Sequence, residues 1–208
     1  KDVIAKMEVS NTGIPIAQVY GRQIPRSAMN FEFFAEFISQ SSNPVYDQNA
    51  NYITYVGREP VGVAGIIAPW NAPMALASMK LAGAIAFGNS CVFKPSELTP
   101  LGFMCFMEFL SEAGLPDGVI NMVNGAGHVT GAAITANEDV DVIAFTGGTE
   151  TGRIISAEAG RTLKRSVTEL GGKSANIIFA DADFDRALDA ALVAIFSNNG
   201  QQCLAGSR

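Results

Sequence analysis

The sequence predicts an α/β fold: a doubly wound parallel sheet with helices on both faces, preceded by an N-terminal helical and β-edge segment. Three observations predict it. Beyond Pro60, short apolar runs alternate with longer runs of helical period, the pattern of repeated β-then-α units. The short runs lack the in/out alternation of a half-exposed strand, as strands covered on both faces do. Apolar residues are 48% of the 208-residue chain and charged residues only 16%, against a usual share of about 25%, so there is a large core to bury.

Each element has its own signal. In 26–40, Phe31, Phe34, Phe37 and Ile38 recur at helical spacing. Residues 51–58, Asn-Tyr-Ile-Thr-Tyr-Val-Gly-Arg, have the content of an edge strand. Val61–Ile67 is the first strand of the α/β unit, and the Ala/Leu/Met-rich stretch Asn71–Phe87 is the helix after it. Ser90–Phe93 with Leu101–Ala113, Val119–Val123 with Val129–Ala136, and Val140–Phe145 with Glu150–Ala159 repeat the pair. Ser166–Leu170 and Ala175–Phe179 read as two further strands before the helix Phe184–Phe196.

Composition excludes several functions. Net charge is −6 and no Lys/Arg stripe exists, which disfavours nucleic acid and anionic membrane as partners. Residues 61–79 carry no charge, but Pro69, Asn71 and Pro73 break them into a strand, a turn and a helix start, not a membrane span. The first residues lack the apolar core of a signal peptide. Three scattered cysteines form no disulfide framework and suit a reducing, cytoplasmic setting. The single histidine, His128, leaves no zinc cluster, so no metal is expected. The apolar excess suggests burial in an assembly.

Parallel sheets bind ligands at the carboxyl ends of their strands. Those ends here carry Pro69-Trp70-Asn71, Lys94-Pro95-Ser96-Glu97, Asn124-Gly125 with Gly127-His128, Thr146-Gly147-Gly148-Thr149, and Glu169-Leu170-Gly171-Gly172-Lys173. Five consecutive ends rich in glycine, amide or ionisable groups make one polar rim.

The individual motifs stay open. Gly147–Gly152 opens a helix after a strand, so its amides can face a phosphate, yet Arg153 and Ile154 stand where a P-loop needs Lys and Ser/Thr. Gly172-Lys173-Ser174 has the P-loop ending without its first glycine. A tight βα turn accounts for either. Lys94 and Glu97 suit ribose hydroxyls or form a solvated loop. Cys203 sits in a polar loop, Asn198-Asn199-Gly200-Gln201-Gln202-Cys203, a setting that favours reactivity over packing. Its thiol would need a base, and Glu169 is the available one, unless these are a half-buried Cys and a surface Glu. Cys91 and Cys105 lie in apolar runs and read as core. His128 caps a helix, contacts phosphate or, the reading preferred here, is a satisfied structural histidine. Asn71 is an N-cap, or an amide donor to a developing oxyanion. Trp70, Met74 and Phe196 hint at an apolar pocket wall.

Together Pro69-Trp70-Asn71, Lys94-Pro95-Ser96-Glu97, Phe145–Gly152, Glu169–Ser174 and Gly200-Gln201-Gln202-Cys203 resemble, in order and spacing, the aldehyde dehydrogenase superfamily. The resemblance implies a Rossmann-like fold and oxidation of an aldehyde to a carboxylic acid by NAD(P)+. It implies Cys203 as nucleophile, Asn71 and the Cys203 backbone N–H as oxyanion donors, Glu169 as the base that activates water, and Lys80 in a proton relay.

By the same resemblance Ile67, Ala68, Pro69 and Trp70 line the cofactor cleft, and Lys94 and Glu97 hold the adenosine ribose. Gly127 and Gly131 lie near the adenine side. Gly147 and Gly148 lie near the pyrophosphate, and Leu170 and Gly171 near the nicotinamide. Ser96, Phe145, Thr146, Thr151 and Gly152 complete the cofactor-binding set. Gly148 replaces a serine common in the family. Glu97 repels a 2′-phosphate, which favours NAD while leaving NADP open. Residues 1–60 are then the N-terminal segment, 61–196 the NAD-binding domain, and 197–208 the start of a catalytic domain. Family members are more than twice as long and homo-oligomeric, so the isolated chain is expected to lack dehydrogenase activity. Two other readings remain: a nucleotide-dependent phosphotransferase, and a non-catalytic nucleotide-binding module.

Overall fold

Strand Val63–Ile67 (β3) lies at the centre of a five-stranded, all-parallel sheet. The computed structural model describes residues 1–49 and 51–208. Sheet order is β5-β4-β3-β6-β7, with β4 at Ser90–Lys94, β5 at Ile120–Met122, β6 at Val142–Gly147 and β7 at Arg165–Leu170. The chain runs outward from β3 through β4 to β5, then returns to the other side of β3 for β6 and β7. The order therefore reverses between β3 and β6, where a parallel sheet opens a crevice at its carboxyl edge.

Side chains alternate across the sheet and fill two cores. Ala64 and Ile66 of β3, with Cys91 and Phe93 of β4, meet Met74, Ala77 and Leu81 of α4 (Pro73–Ala86) and Phe103 of α5 (Leu101–Glu112). Ile67, Ile143 and Phe145 face the opposite side, against Ile134 of α6 (Ala132–Ala136) and Ile155 of α7 (Thr149–Arg161). Gly65 of β3 is required by this second core. A Cβ there would lie 2.7 Å from Ile134 and 2.8 Å from Ile143.

The N-terminal region is more helical than the sequence suggested. Helix α1 (Asp2–Thr12) was not anticipated, because its amphipathic pattern is weak, yet it places Ile4 in the first core. A short α2 (Ile16–Gln18) passes through a π-helical turn (Val19–Gln23) into α3 (Ile24–Ser39), the helix expected at 26–40. The expected edge segment is one arm of an antiparallel hairpin, β1 (Val45–Asn49) and β2 (Tyr52–Tyr55).

Two expectations need correction. Ala175–Phe179 forms no strand. A strand needs a ladder partner, and this segment's backbone bonds are isolated: Asn176 N–H donates to Arg208 and the Phe179 carbonyl accepts from Ala182 N–H, with Ser174 N–H donating to Ala205 just before it. The helix expected at Val129–Ala136 instead begins as a π-helical turn, Gly127–Gly131, before α6. Helix α8 matches the sequence reading at Phe184–Phe196 and is capped by Asp183, which accepts from the Arg186 N–H at 3.1 Å. No described helix is long and apolar enough to cross a membrane.

Candidate active site and cofactor cleft

A cleft of about 1000 Å³ opens over the carboxyl edge at the β3/β6 reversal. Ile67, Ala68, Pro69 and Trp70 form its β3 wall; Phe145, Thr146, Gly147, Gly148 and Thr151 form its β6–α7 wall. Lys94, Ser96 and Glu97 come from the end of β4, and Gly127 and Gly131 from the π-helical turn. Gly152, Leu170 and Gly171 do not line it. Gly152 instead packs α7 on the sheet, where a Cβ would lie 2.5 Å from the Leu170 side chain.

One charge pair organises the cleft. The Lys94 ammonium is almost fully buried, donating to the Pro95 carbonyl at 2.9 Å and to Glu97 at 3.0 Å. The other Glu97 oxygen accepts the Gly127 N–H at 3.1 Å. Hydrogen bonds from its own backbone, from Lys94 and from Gly127 hold the Glu97 carboxyl down at about 2. The carboxylate is thus fixed and ionised at the mouth of the cleft. Helix α7 begins at Gly148, whose missing side chain leaves the first amides of the helix without a side-chain acceptor.

Sequence reasoning missed several cleft residues. Thr135, Ile154 and Ile155 lie on turns of α6 and α7 that no local motif marks. His128 is exposed and lines the cleft, so it is not the satisfied structural histidine expected; its place on the π-helical turn turns it outward. Arg153, which stands where a P-loop needs Lys, points to solvent and pairs with Glu150 at 3.2 Å.

A second cavity, of about 490 Å³, contains Cys203 and Asn71. Trp70 lines the first cleft and Asn71, the next residue, lines the second, so the two meet at this turn. The Asn71 side-chain amide donates to the Gln201 carbonyl at 2.8 Å, which leaves its second N–H available. Beside Cys203, Asn198 and Asn199 adopt left-handed conformations with φ of 55° and 57°, followed by Gly200 at 70°. Asn198 is buried and its side chain accepts from Gln23 at 3.1 Å and donates to the Asn71 carbonyl at 2.8 Å. Its backbone N–H donates to Gln18 at 3.1 Å. Asn198 and Gln23 were not singled out from sequence, because their partners are remote in the chain.

Glu169 and Lys80 form the third group. Glu169 pairs in register with Thr146 across β6 and β7, and Lys80 of α4 donates to the Thr146 hydroxyl. Burial lowers the Lys80 pKa, while the nearby Glu169 charge works to raise it. The segment after Glu169 passes against the Cys203 loop, where a Cβ on Gly172 would lie 3.5 Å from the Cys203 carbonyl oxygen. Cys203 is exposed. Cys91 is fully buried, and burial pushes its thiol up to about 11. The expected pocket wall is different: Met74 is core, Phe196 is exposed, and Met29, Leu76, Met79 and Leu204 line the Cys203 cavity. Among the described residues no cluster of metal-ligating side chains occurs.

Fold and cleft together define a Rossmann-type α/β unit with its crevice at the sheet reversal. The chain belongs to the aldehyde dehydrogenase family, whose model matches residues 1–208. It is 48% identical over 205 residues to 5-carboxymethyl-2-hydroxymuconate semialdehyde dehydrogenase of Escherichia coli, covering 99% of this chain and 43% of that protein. It is 44% identical over 207 residues to human retinal dehydrogenase 2, covering 99% of this chain and 40% of that protein. The structure of an aldehyde dehydrogenase from Bacillus cereus in complex with NAD+ superposes with a TM-score of 0.96 at 39% identity, covering 99% of this chain and 42% of that one. The chain thus spans well under half the length of these relatives.

Proposed function

We propose that the full-length protein containing this chain oxidises an aldehyde to a carboxylic acid with NAD+ as the preferred acceptor. The observation that carries this reading is the adjacency of Trp70 and Asn71, which joins the Glu97 cleft to the Cys203 cavity.

The cleft suits a dinucleotide. Its Glu97 carboxylate, already held by Lys94 and Gly127, presents an acceptor to ribose hydroxyls and repels a 2′-phosphate. The uncapped start of α7 at Gly148 suits a pyrophosphate. Thr146, Gly147 and Thr151 complete that side. When bound, the nicotinamide supplies the hydride acceptor.

Cys203 adds to the aldehyde carbon as a thiolate, forming a thiohemiacetal. The free N–H of Asn71 and the backbone N–H of Cys203 stabilise the oxyanion. A donor of this kind is worth about 3–4 kcal/mol in the transition state. Loss of hydride from the same carbon leaves a thioester on Cys203. Glu169 takes a proton from water, which attacks the thioester and releases the acid and the Cys203 thiolate. Lys80, held by Thr146 and facing Glu169, relays that proton outward.

Assay of the complete polypeptide on an aldehyde panel with NAD+ and with NADP+ tests the reading. Aldehyde-dependent NADH formation abolished by Cys203→Ser is expected. Undiminished turnover in that variant would remove Cys203 from the chemistry.

A further inference from the structure

Glu8 of α1 is fully buried, and among the described residues neither of its carboxyl oxygens has a hydrogen-bond partner of good geometry. A buried polar group left in that state is costly and needs a reason. Its place in the fold supplies one: the carboxyl lies where two helices begin. Towards α4 it meets the backbone of Met74, the second residue of that helix. Towards α5 it fills the space left by Gly102, where a Cβ would overlap Glu8 Oε1. Neither helix has a side-chain cap on its own N-terminal residue. First-turn N–H groups have no intrahelical acceptor, and the α1 carboxyl is the polar group set beside them. Further along α1, Asn11 accepts the Leu101 N–H at 2.8 Å, so α1 seats the start of α5 at two points.

Helix α4 starts at Pro73, two residues after Asn71. On its open side the Asn71 turn is tied to the Cys203 loop through Asn198 and Gln201. On its buried side the first turn of α4 meets Glu8. Resting on the aldehyde-oxidising reading above, we propose that Glu8 is a positioning residue: through the first turn of α4 it fixes where Asn71 presents its amide to the aldehyde oxygen. Glu8 lines neither cavity and so acts at a distance from the reacting atoms. Burial pushes its carboxyl up to about 8, so near neutral pH it is protonated and both donates and accepts, as a glutamine amide does. Moving a reacting group by about 1 Å costs about 100-fold in rate.

The test uses two reactions of Cys203 in the full-length protein. Acylation by p-nitrophenyl acetate adds the thiolate to a carbonyl, passes through an oxyanion and expels p-nitrophenolate. Alkylation by iodoacetamide displaces iodide and forms no oxyanion. Both start from the thiolate, so the ratio of their rates reads the oxyanion donor. Wild type, Asn71→Ala, Glu8→Met and Glu8→Gln are compared, and Cys91 stays unlabelled in any variant that is folded. The ratio should fall about 100-fold in Asn71→Ala. It should fall about 10-fold in Glu8→Met and return close to wild type in Glu8→Gln. Aldehyde turnover should follow the ratio, with kcat falling and KM little changed. If Glu8→Met does not fold, Glu8→Asp, which withdraws the carboxyl by one methylene, takes its place with the same expectation. A wild-type ratio in the folded Met or Asp variant, or a Glu8→Gln ratio as low as theirs, would overturn the inference. If no aldehyde is oxidised, the dehydrogenase reading fails by itself and the ratio still decides on Glu8. A ratio unmoved in Asn71→Ala would remove the oxyanion donor, and this inference with it.

Discussion

The Asn198 side chain donates to the backbone carbonyl of Asn71 at 2.8 Å, tying the loop that carries Cys203 to the turn that follows β3. The same side chain accepts from Gln23, so three distant segments converge on one buried amide. The left-handed backbone at Asn198 and Asn199 is held by these bonds, and by a 2.8 Å bond from the Asn199 side chain to the Gly13 carbonyl. Asparagine tolerates this conformation better than other residues with a Cβ.

Asn198→Ala removes the bonds, orphans the Gln23 amide and adds backbone strain. A loss of about 2–4 kcal/mol is expected. Asn198→Gly relieves the strain and loses only the bonds, so it should be milder by about 1 kcal/mol. Thermal or denaturant unfolding of the full-length variants checks the order. Equal stability of both variants with wild type would show that the amide network does not hold the loop.

Glu97 should govern cofactor choice. Glu97→Gln keeps the shape but loses the charge that repels a 2′-phosphate. NAD+ affinity is expected to fall by about 10-fold while the NADP+/NAD+ preference ratio rises. Because the folded carboxyl stays ionised down to about 2, below its usual 4.5, the charge and the Lys94 pair persist above pH 4.5 and are lost only as pH falls toward 2. Titration calorimetry with both dinucleotides reads the ratio. An unchanged ratio would place the selection elsewhere.

Glu8 gives the opposite pH dependence. It is fully buried between α1, α4 and α5, and neither oxygen has a hydrogen bond of good geometry. Burial raises its pKa to about 8, with the Met74 backbone offsetting it in part. The folded state therefore binds the proton more tightly than the unfolded state does. No penalty exists below pH 4.5; it grows between pH 4.5 and 8 and is constant above. Linkage sets an upper bound of about 5 kcal/mol. Unfolding temperature should drop from pH 5.5 to pH 8.5, and less steeply in Glu8→Gln. Parallel pH profiles would contradict the assignment.

The Cys91 and Cys203 thiols should react in different ways. Iodoacetamide near neutral pH should label exposed Cys203 in the native protein. It should leave Cys91 untouched until the protein unfolds, because Cys91 is buried and its thiol is pushed up to about 11. Peptide mass mapping separates the sites. Labelling of Cys91 at the Cys203 rate would mean that the first core opens readily.

Local pattern carried the sheet well and the margins poorly. The parallel strands and helix α8 were legible because apolar runs and the Asp183 cap are local signals. Helix α1 was not, since only Ile4, Ala5 and Glu8 of its side chains are buried, and Ile4 and Ala5 pack into different cores, so no continuous apolar stripe marks it. Ala175–Phe179 read as a strand from its β-branched and aromatic residues, but propensity supplies no neighbour to pair with. Within the site, motif residues such as Lys94, Glu97 and Asn71 were visible at strand ends. Asn198 and Gln23 took no role from the sequence, because their bond forms only when the Val19–Gln23 turn and the 197–204 loop fold together.

The most direct test of the account is acyl-enzyme trapping. The full-length Glu169→Gln variant is mixed with NAD+ and an oxidisable aldehyde, quenched in acid and digested. Without the base, the thioester should accumulate, and mass spectrometry should place the acyl group on the peptide containing Cys203 after a burst of NADH. NADH formation with the acyl group on another residue, or steady turnover with Cys203 replaced by serine, would contradict it.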